Sequence, residues 1–203
     1  MDPRERLARS RLYLCTDARR DRGDLAAFLD EVLGAGVDIV QLREKSLADG
    51  ELLTVLQQAR EVTRRLGVPL VVNDRPDLAR LAEADYVHVG QEDLPVAAAR
   101  AFGVGVGQST HAPAELDATG ADYAGVGPVF ETPTKEGRPA AGLEYVRYAA
   151  ANARVPWFAI GGIDESTVGD VVAAGARRIA VVRAIGDAPD PERAAADLRR
   201  ALR

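Results

Sequence analysis

Soft metal donors and thiols are almost missing: among 203 residues there is one cysteine, Cys15, and two histidines, His88 and His111. A lone thiol excludes an internal disulfide framework and points to a reducing compartment. So few donors also argue against a structural zinc site. No run of about 18 uncharged apolar residues occurs, which argues against a membrane-spanning helix. The opening Met1-Asp2-Pro3-Arg4-Glu5-Arg6 lacks the apolar stretch of a secretory signal. Positive charge is in deficit, with a formal net of −5, which argues against broad binding to nucleic acid or a membrane surface. Any affinity for anions must therefore be local. Linkers, internal repeats and low-complexity tracts are lacking as well. The expectation is a cytoplasmic protein forming one domain over residues 1–203, with small-molecule partners; self-association into a homo-oligomer is left open.

Apolar residues are plentiful, at 47%, and they come in short runs. These are Leu12–Cys15, Asp38–Leu42, Pro69–Val72, Tyr86–Val89, Val104–Gly107, Tyr123–Val126, Trp157–Ile160 and Ile179–Val182. Most are too short for helices and rich in β-branched residues, as buried parallel strands are. Amphipathic stretches alternate with them: Asp24–Leu33, Asp49–Leu66, Asp77–Glu83, Pro95–Ala101, Pro113–Thr119, Leu143–Ala151, Glu165–Ala174 and Pro191–Leu202. Gly34 and Gly67 fit helix stops, and Pro95, Pro113 and Pro191 fit first-turn positions. Eight strand–helix units predict an α/β protein folded as a single (β/α)8 TIM barrel, with an open doubly wound sheet as the alternative.

Barrels of this kind place chemistry on the loops after the strands, so the residues just past each run matter most. After the second run come Gln41, Arg43 and Lys45, which share one face if the strand geometry persists. Two cations on a core-side face are costly unless an anion sits among them, and a diphosphate suits. After the third and fourth come Asn73-Asp74-Arg75 and Gly90-Gln91-Glu92-Asp93. Neighbouring strands lie about 4.8 Å apart, so Asp74 and Asp93 could grip one Mg²⁺. Either aspartate alone could equally be a helix N-cap or an ion-pair partner, Asp74 with Arg75. Gln108-Ser109-Thr110-His111 comes after the fifth run, and the long Glu131–Gly142 segment, with Thr132-Pro133-Thr134-Lys135, after the sixth. That segment could close as a lid or be an ordinary solvated loop. Gly161-Gly162 ends the seventh run, where backbone N–H groups could approach a phosphate or simply turn tightly. Arg183 comes after the eighth. His88 sits inside a strand and reads as a core histidine, and Cys15 as packing in the first strand.

These residues resemble thiamine phosphate synthase. The resemblance rests on Gln41-x-Arg43-Glu44-Lys45, Asn73-Asp74-Arg75, Gly90-Gln91-Glu92-Asp93, Ser109-x-His111, Gly125-Val126-Gly127-Pro128-Val129-Phe130-x-Thr132-x-Thr134-Lys135, Gly161-Gly162-Ile163 and Ala180-Val181-Val182-x-Ala184-Ile185. It spans nearly the whole chain, in order. The family it implies is a (β/α)8 barrel that joins hydroxymethylpyrimidine diphosphate to hydroxyethylthiazole phosphate and releases pyrophosphate. By resemblance, the Gln41-Leu42-Arg43-Glu44-Lys45 segment, Asn73 and Lys135 bind the pyrimidine diphosphate, and Ser109 contacts the pyrimidine. Asp74 and Asp93 hold Mg²⁺. Thr132, Pro133 and Thr134, Gly162, Val182 and Arg183 form the seat of the thiazole phosphate. One departure stands out: the family often has Ser where this chain has Arg183. The resemblance makes Arg43, Lys45, Lys135 and Ser109 the catalytic set. The rim offers no strong nucleophile or general base for a covalent route, and a dissociative displacement needs neither. Rivals are a thiazole tautomerase on the same barrel, another phosphate-sugar barrel such as an aldolase or epimerase, and a binding regulator without turnover.

Overall fold

The structure, a computed structural model, describes residues 3–132 and 139–203. Eight parallel strands close into a barrel in sequence order, each hydrogen-bonded to its neighbours and β8 returning to β1. They are β1 (Leu12–Thr16), β2 (Ile39–Leu42), β3 (Leu70–Asn73), β4 (Tyr86–Val89), β5 (Gly105–Thr110), β6 (Tyr123–Val126), β7 (Trp157–Ile160) and β8 (Ile179–Val181). The helices are α1 (Pro3–Arg9), α2 (Leu25–Gly34), α3 (Asp49–Leu66), α4 (Pro76–Leu81), α5 (Val96–Arg100), α6 (Pro113–Ala118), α7 (Gly142–Asn152), α8 (Val168–Ala173), α9 (Arg183–Gly186) and α10 (Pro191–Ala201). The closed barrel is the predicted fold, and it excludes the open sheet.

Strand side chains alternate between two apolar layers. Ile39 faces the barrel interior, whereas Val40 and Leu42 join the layer between strands and helices. The interior cluster is aromatic: Tyr13, Tyr86, Tyr123 and Phe158 join Ile39, Val71 and Ala180. Their rings meet edge to face, with centroids 5.3 Å apart for Tyr13 and Phe158, the favourable quadrupole arrangement. This filling leaves no room for a neighbour's side chain. A Cβ on Gly107 would lie 2.1 Å from the Tyr123 ring, so the glycine makes way for the phenol.

Several element ends differ from the expectation. Strand β5 runs on to Thr110, so Gln108, Ser109 and Thr110 lie within it rather than in the following loop. Its outward-facing polar members are satisfied off the sheet: Gln108 Oε1 accepts from Thr119 Oγ1 at 2.7 Å, and Thr110 Oγ1 from the Tyr145 hydroxyl at 2.7 Å. Polar side chains with partners are tolerated in a buried strand, and that hides them from an apolar-run criterion. Asn73 likewise belongs to β3, while Val182 falls outside β8. Helices α1 and α9 are not among the expected elements. The first is Pro-Arg-Glu-Arg-Leu-Ala-Arg, with Leu7 its one large apolar residue, and the second spans only 4 residues; neither shows a periodic stripe. Leu7 is 3% exposed and belongs to the interior cluster, so α1 plugs the barrel's N-terminal mouth.

Candidate functional site

A cavity of about 480 Å³ opens at the C-terminal ends of the strands. Inward-facing strand residues make its floor, and the loops after β6, β7 and β8 make its wall. A hydrogen-bonded chain crosses the floor. Cys15 Sγ donates to Gln41 Oε1 (3.1 Å), and Gln41 Nε2 donates to the Tyr13 hydroxyl (2.8 Å). The Tyr13 and Tyr123 hydroxyls meet at 3.0 Å, Tyr123 meets His88 Nδ1 at 3.1 Å, and His88 Nε2 meets Ser109 Oγ at 2.9 Å. Burial pushes both phenols well above their ordinary pKa, so both carry their protons at neutral pH.

At the rim beside it, the loops after β2, β3 and β4 bring opposite charges together. Lys45 Nζ lies 3.3 Å from Asp74 Oδ2. Asp74 holds left-handed backbone, φ +62°, a conformation aspartate tolerates better than most residues. Its carboxyl is pushed above the usual range, first by burial and then by Asp93 alongside, with Lys45 pulling the other way. Asp93 Oδ2 in turn accepts from the Gly90 amide at 2.7 Å. Arg75 does not pair with Asp74: it forks onto Asp49 and Asp77, with contacts of 2.6 and 2.7 Å. That leaves Asp74 to the rim. Among the described residues no group of three or more His, Cys, Asp or Glu side chains could hold a metal. A cation here would rest on two carboxylates, water and substrate oxygens, the usual magnesium arrangement.

Gln41, Ser109, Thr132, Gly162, Val182 and Arg183 all line the cavity. Arg183 also borders an adjoining cleft of about 360 Å³, where Arg43 meets it. Two members of the β2 segment are occupied otherwise. The Leu42 side chain is buried in the outer layer. The Glu44 carboxylate accepts from the backbone of Lys45 and Ser46 at 2.8 Å, knitting its own loop. Across the cavity, Val129 N donates to Ile160 O at 2.8 Å and Phe130 N to Gly161 O at 3.0 Å. This approach needs the Gly161-Gly162 pair: a Cβ on Gly162 (φ +65°) would lie 2.7 Å from Phe130 Cβ. Pro133, Thr134 and Lys135 lie outside the described residues, as does half of the Glu131–Gly142 segment.

Sequence reasoning misses several floor residues, among them Cys15, which it reads only as packing in the first strand. His88 reads as core from its strand position, yet it lines the cavity, as do Tyr13 and Tyr123. Strand parity holds the signal: Tyr86 and His88 fall two apart on β4 and so share the inward face. His111 also lines the cavity, its Nδ1 2.6 Å from Gly127 O.

A closed (β/α)8 barrel carrying a polar-floored cavity and a charged rim at its strand ends defines a barrel enzyme. The family model for thiamine monophosphate synthase matches residues 12–185. A thiamine-phosphate synthase of Thermobifida fusca is 56% identical over 209 residues, covering 98% of this chain and 95% of its own. One from Streptomyces avermitilis is 53% identical over 208 residues, covering 98% and 97%. Among solved structures, thiamine phosphate pyrophosphorylase from Pyrococcus furiosus superposes with a TM-score of 0.86 at 31% identity, covering 98% of this chain and 96% of that one. The chain belongs to the thiamine monophosphate synthase family. It is an enzyme of thiamine biosynthesis, a transferase. Among the described residues no helix is long and apolar enough to cross a membrane.

Proposed function

We propose that the cavity and its charged rim are the active site, and that the reaction is a Mg²⁺-assisted dissociative displacement. Hydroxymethylpyrimidine diphosphate and hydroxyethylthiazole phosphate give thiamine monophosphate and pyrophosphate. The observation that carries this reading is the Asp74–Asp93 pair. Burial and then the neighbouring Asp93 carboxylate lift the Asp74 pKa despite Lys45 alongside, at the edge of a cavity lined by Gln41 and Ser109. Hard oxygen donors under mutual repulsion suit a magnesium ion. When bound, that ion supplies charge neutralisation to the departing diphosphate.

The chain's own residues do the rest. Gln41, Arg43, Lys45, Asn73 and Lys135 hold the diphosphate, the cations among them lowering the barrier to its departure. Ser109 contacts the pyrimidine, whose electron-rich ring supports the positive charge that develops as the bond breaks. Thr132, Thr134, the Gly162 backbone, Val182 and Arg183 seat the thiazole phosphate. That positions the thiazole nitrogen to capture the cation, an advantage of proximity rather than of nucleophile activation. Arg183, where the family often has Ser, can meet a phosphate with two parallel hydrogen bonds.

The test mixes purified protein with both heterocycles and Mg²⁺ and follows both products. Thiamine phosphate and pyrophosphate should rise together. Equal pyrophosphate release with the thiazole omitted would mean a hydrolase and end the proposal.

A further inference from the structure

We propose that Tyr123, acting through His88, is a positioning residue that fixes Ser109 as a hydrogen-bond donor to the substrate ring. This rests on the reading that the pyrimidine sits against Ser109. The protons along the floor chain can be counted one by one.

Cys15 donates to Gln41 Oε1, which orients the amide so that its nitrogen faces Tyr13. An amide nitrogen only donates. The Tyr13 oxygen therefore receives a proton from Gln41, and its own single proton is directed to Tyr123, 3.0 Å away. Tyr123 in turn directs its proton to His88 Nδ1 at 3.1 Å. A ring nitrogen that accepts leaves the imidazole proton on Nε2, which donates to Ser109 Oγ at 2.9 Å. The Ser109 hydroxyl proton is then not needed within the chain and can point into the cavity that Ser109 lines. The polarity thus runs one way, from Cys15 on β1 to Ser109 on β5. With the polarity reversed, Ser109 would donate to His88 and offer substrate only lone pairs. The ligand edge matched by the inferred polarity is an acceptor, an unprotonated nitrogen of a heteroaromatic ring.

The room for this arrangement is built in. Tyr123 can cross the barrel axis because Gly107 has no side chain, and its ring is held edge to face by Tyr86 and Phe158, with centroids 5.8 Å away. A phenylalanine at this position keeps that packing and deletes the hydroxyl, which removes the proton that sets His88 and the oxygen that accepts from Tyr13.

The experiment is a long-range ¹H–¹⁵N spectrum of the full chain labelled at histidine, which reports the tautomer, together with kinetics of variants. In the unsubstituted protein His88 should be neutral with its proton on Nε2. Tyr123→Phe should erase that preference and raise KM for the pyrimidine diphosphate by about two- to tenfold, the range of one net hydrogen bond, with KM for the thiazole phosphate unmoved. Tyr13→Phe should act more weakly, since Tyr123 can still donate. A His88 proton on Nδ1, or a protonated ring, in the unsubstituted protein overturns the proposal whatever the variants do. So does unchanged pyrimidine KM in Tyr123→Phe when Ser109→Ala raises it. Unchanged KM in Ser109→Ala removes the pyrimidine from Ser109, and the inference falls with that reading.

Discussion

Asp74 concentrates the conflict on which the site depends. Burial and Asp93 disfavour its charge, and Lys45 favours it. Its folded pKa lies above the unfolded value, so the folded state binds the proton more tightly. Stability falls as pH rises from the ordinary carboxylate value through the raised one, and the penalty is fully present above that. Asp74→Asn should therefore raise the Tm of metal-free protein at neutral pH, by about 2–4 °C for each kcal/mol recovered, and lower turnover. The gain should vanish in thermal scans below the unfolded carboxylate value. A lower Tm at neutral pH would show that the Lys45 contact outweighs the repulsion. Asp93→Asn keeps an oxygen for the Gly90 amide but removes a charge. At fixed Mg²⁺ its turnover should drop at least about tenfold, the worth of one charged interaction; unchanged kinetics would take Asp93 out of the ion site.

Elements set which of these residues can meet. Strand parity puts Gln41 in the cavity and Leu42 against the helices, though the two are adjacent in sequence. The β2 segment was legible as a cation-rich strand end because its residue types are unusual at the close of an apolar run. Ser109 was legible too, but its place inside β5 was not. The pairings Ser109 to Gly125 and Thr110 to Val126 extend the strand through polar residues, and a partner strand is invisible to local pattern. Helix α1 is the same lesson at the opposite mouth. Arg178 holds it by donating to the Ala8 carbonyl at 2.9 Å, a contact between residues 170 apart, and Leu7 fills the barrel floor. Leu7→Ala should cost about 2–5 kcal/mol of stability as a buried cavity, read as a lower urea midpoint. Kinetic constants at the distant rim should change little.

Over the whole molecule, barrel closure turns loops far apart in sequence into one rim, so a ligand gripping several of them stabilises the fold. Pyrophosphate with Mg²⁺ should raise Tm, by the equivalent of about 2.7 kcal/mol at a hundredfold excess over Kd, and pyrophosphate alone should do less. No shift at saturating concentrations would mean that the rim is not a diphosphate seat. The sequence by itself determined the eight-fold alternation and the residue types at each strand end, because periodicity and composition are local properties of a chain. It also carried the family resemblance, which the 56% identity to the Thermobifida fusca relative bears out. Tertiary structure alone decided that Arg75 turns away to Asp49 and Asp77, that α1 closes the lower mouth, and that two tyrosines and a histidine join Gln41 to Ser109 across the floor. Apart from the local Arg75–Asp77 contact, those outcomes depend on side chains that closure of the sheet brings together from distant parts of the chain, and no short window contains both partners.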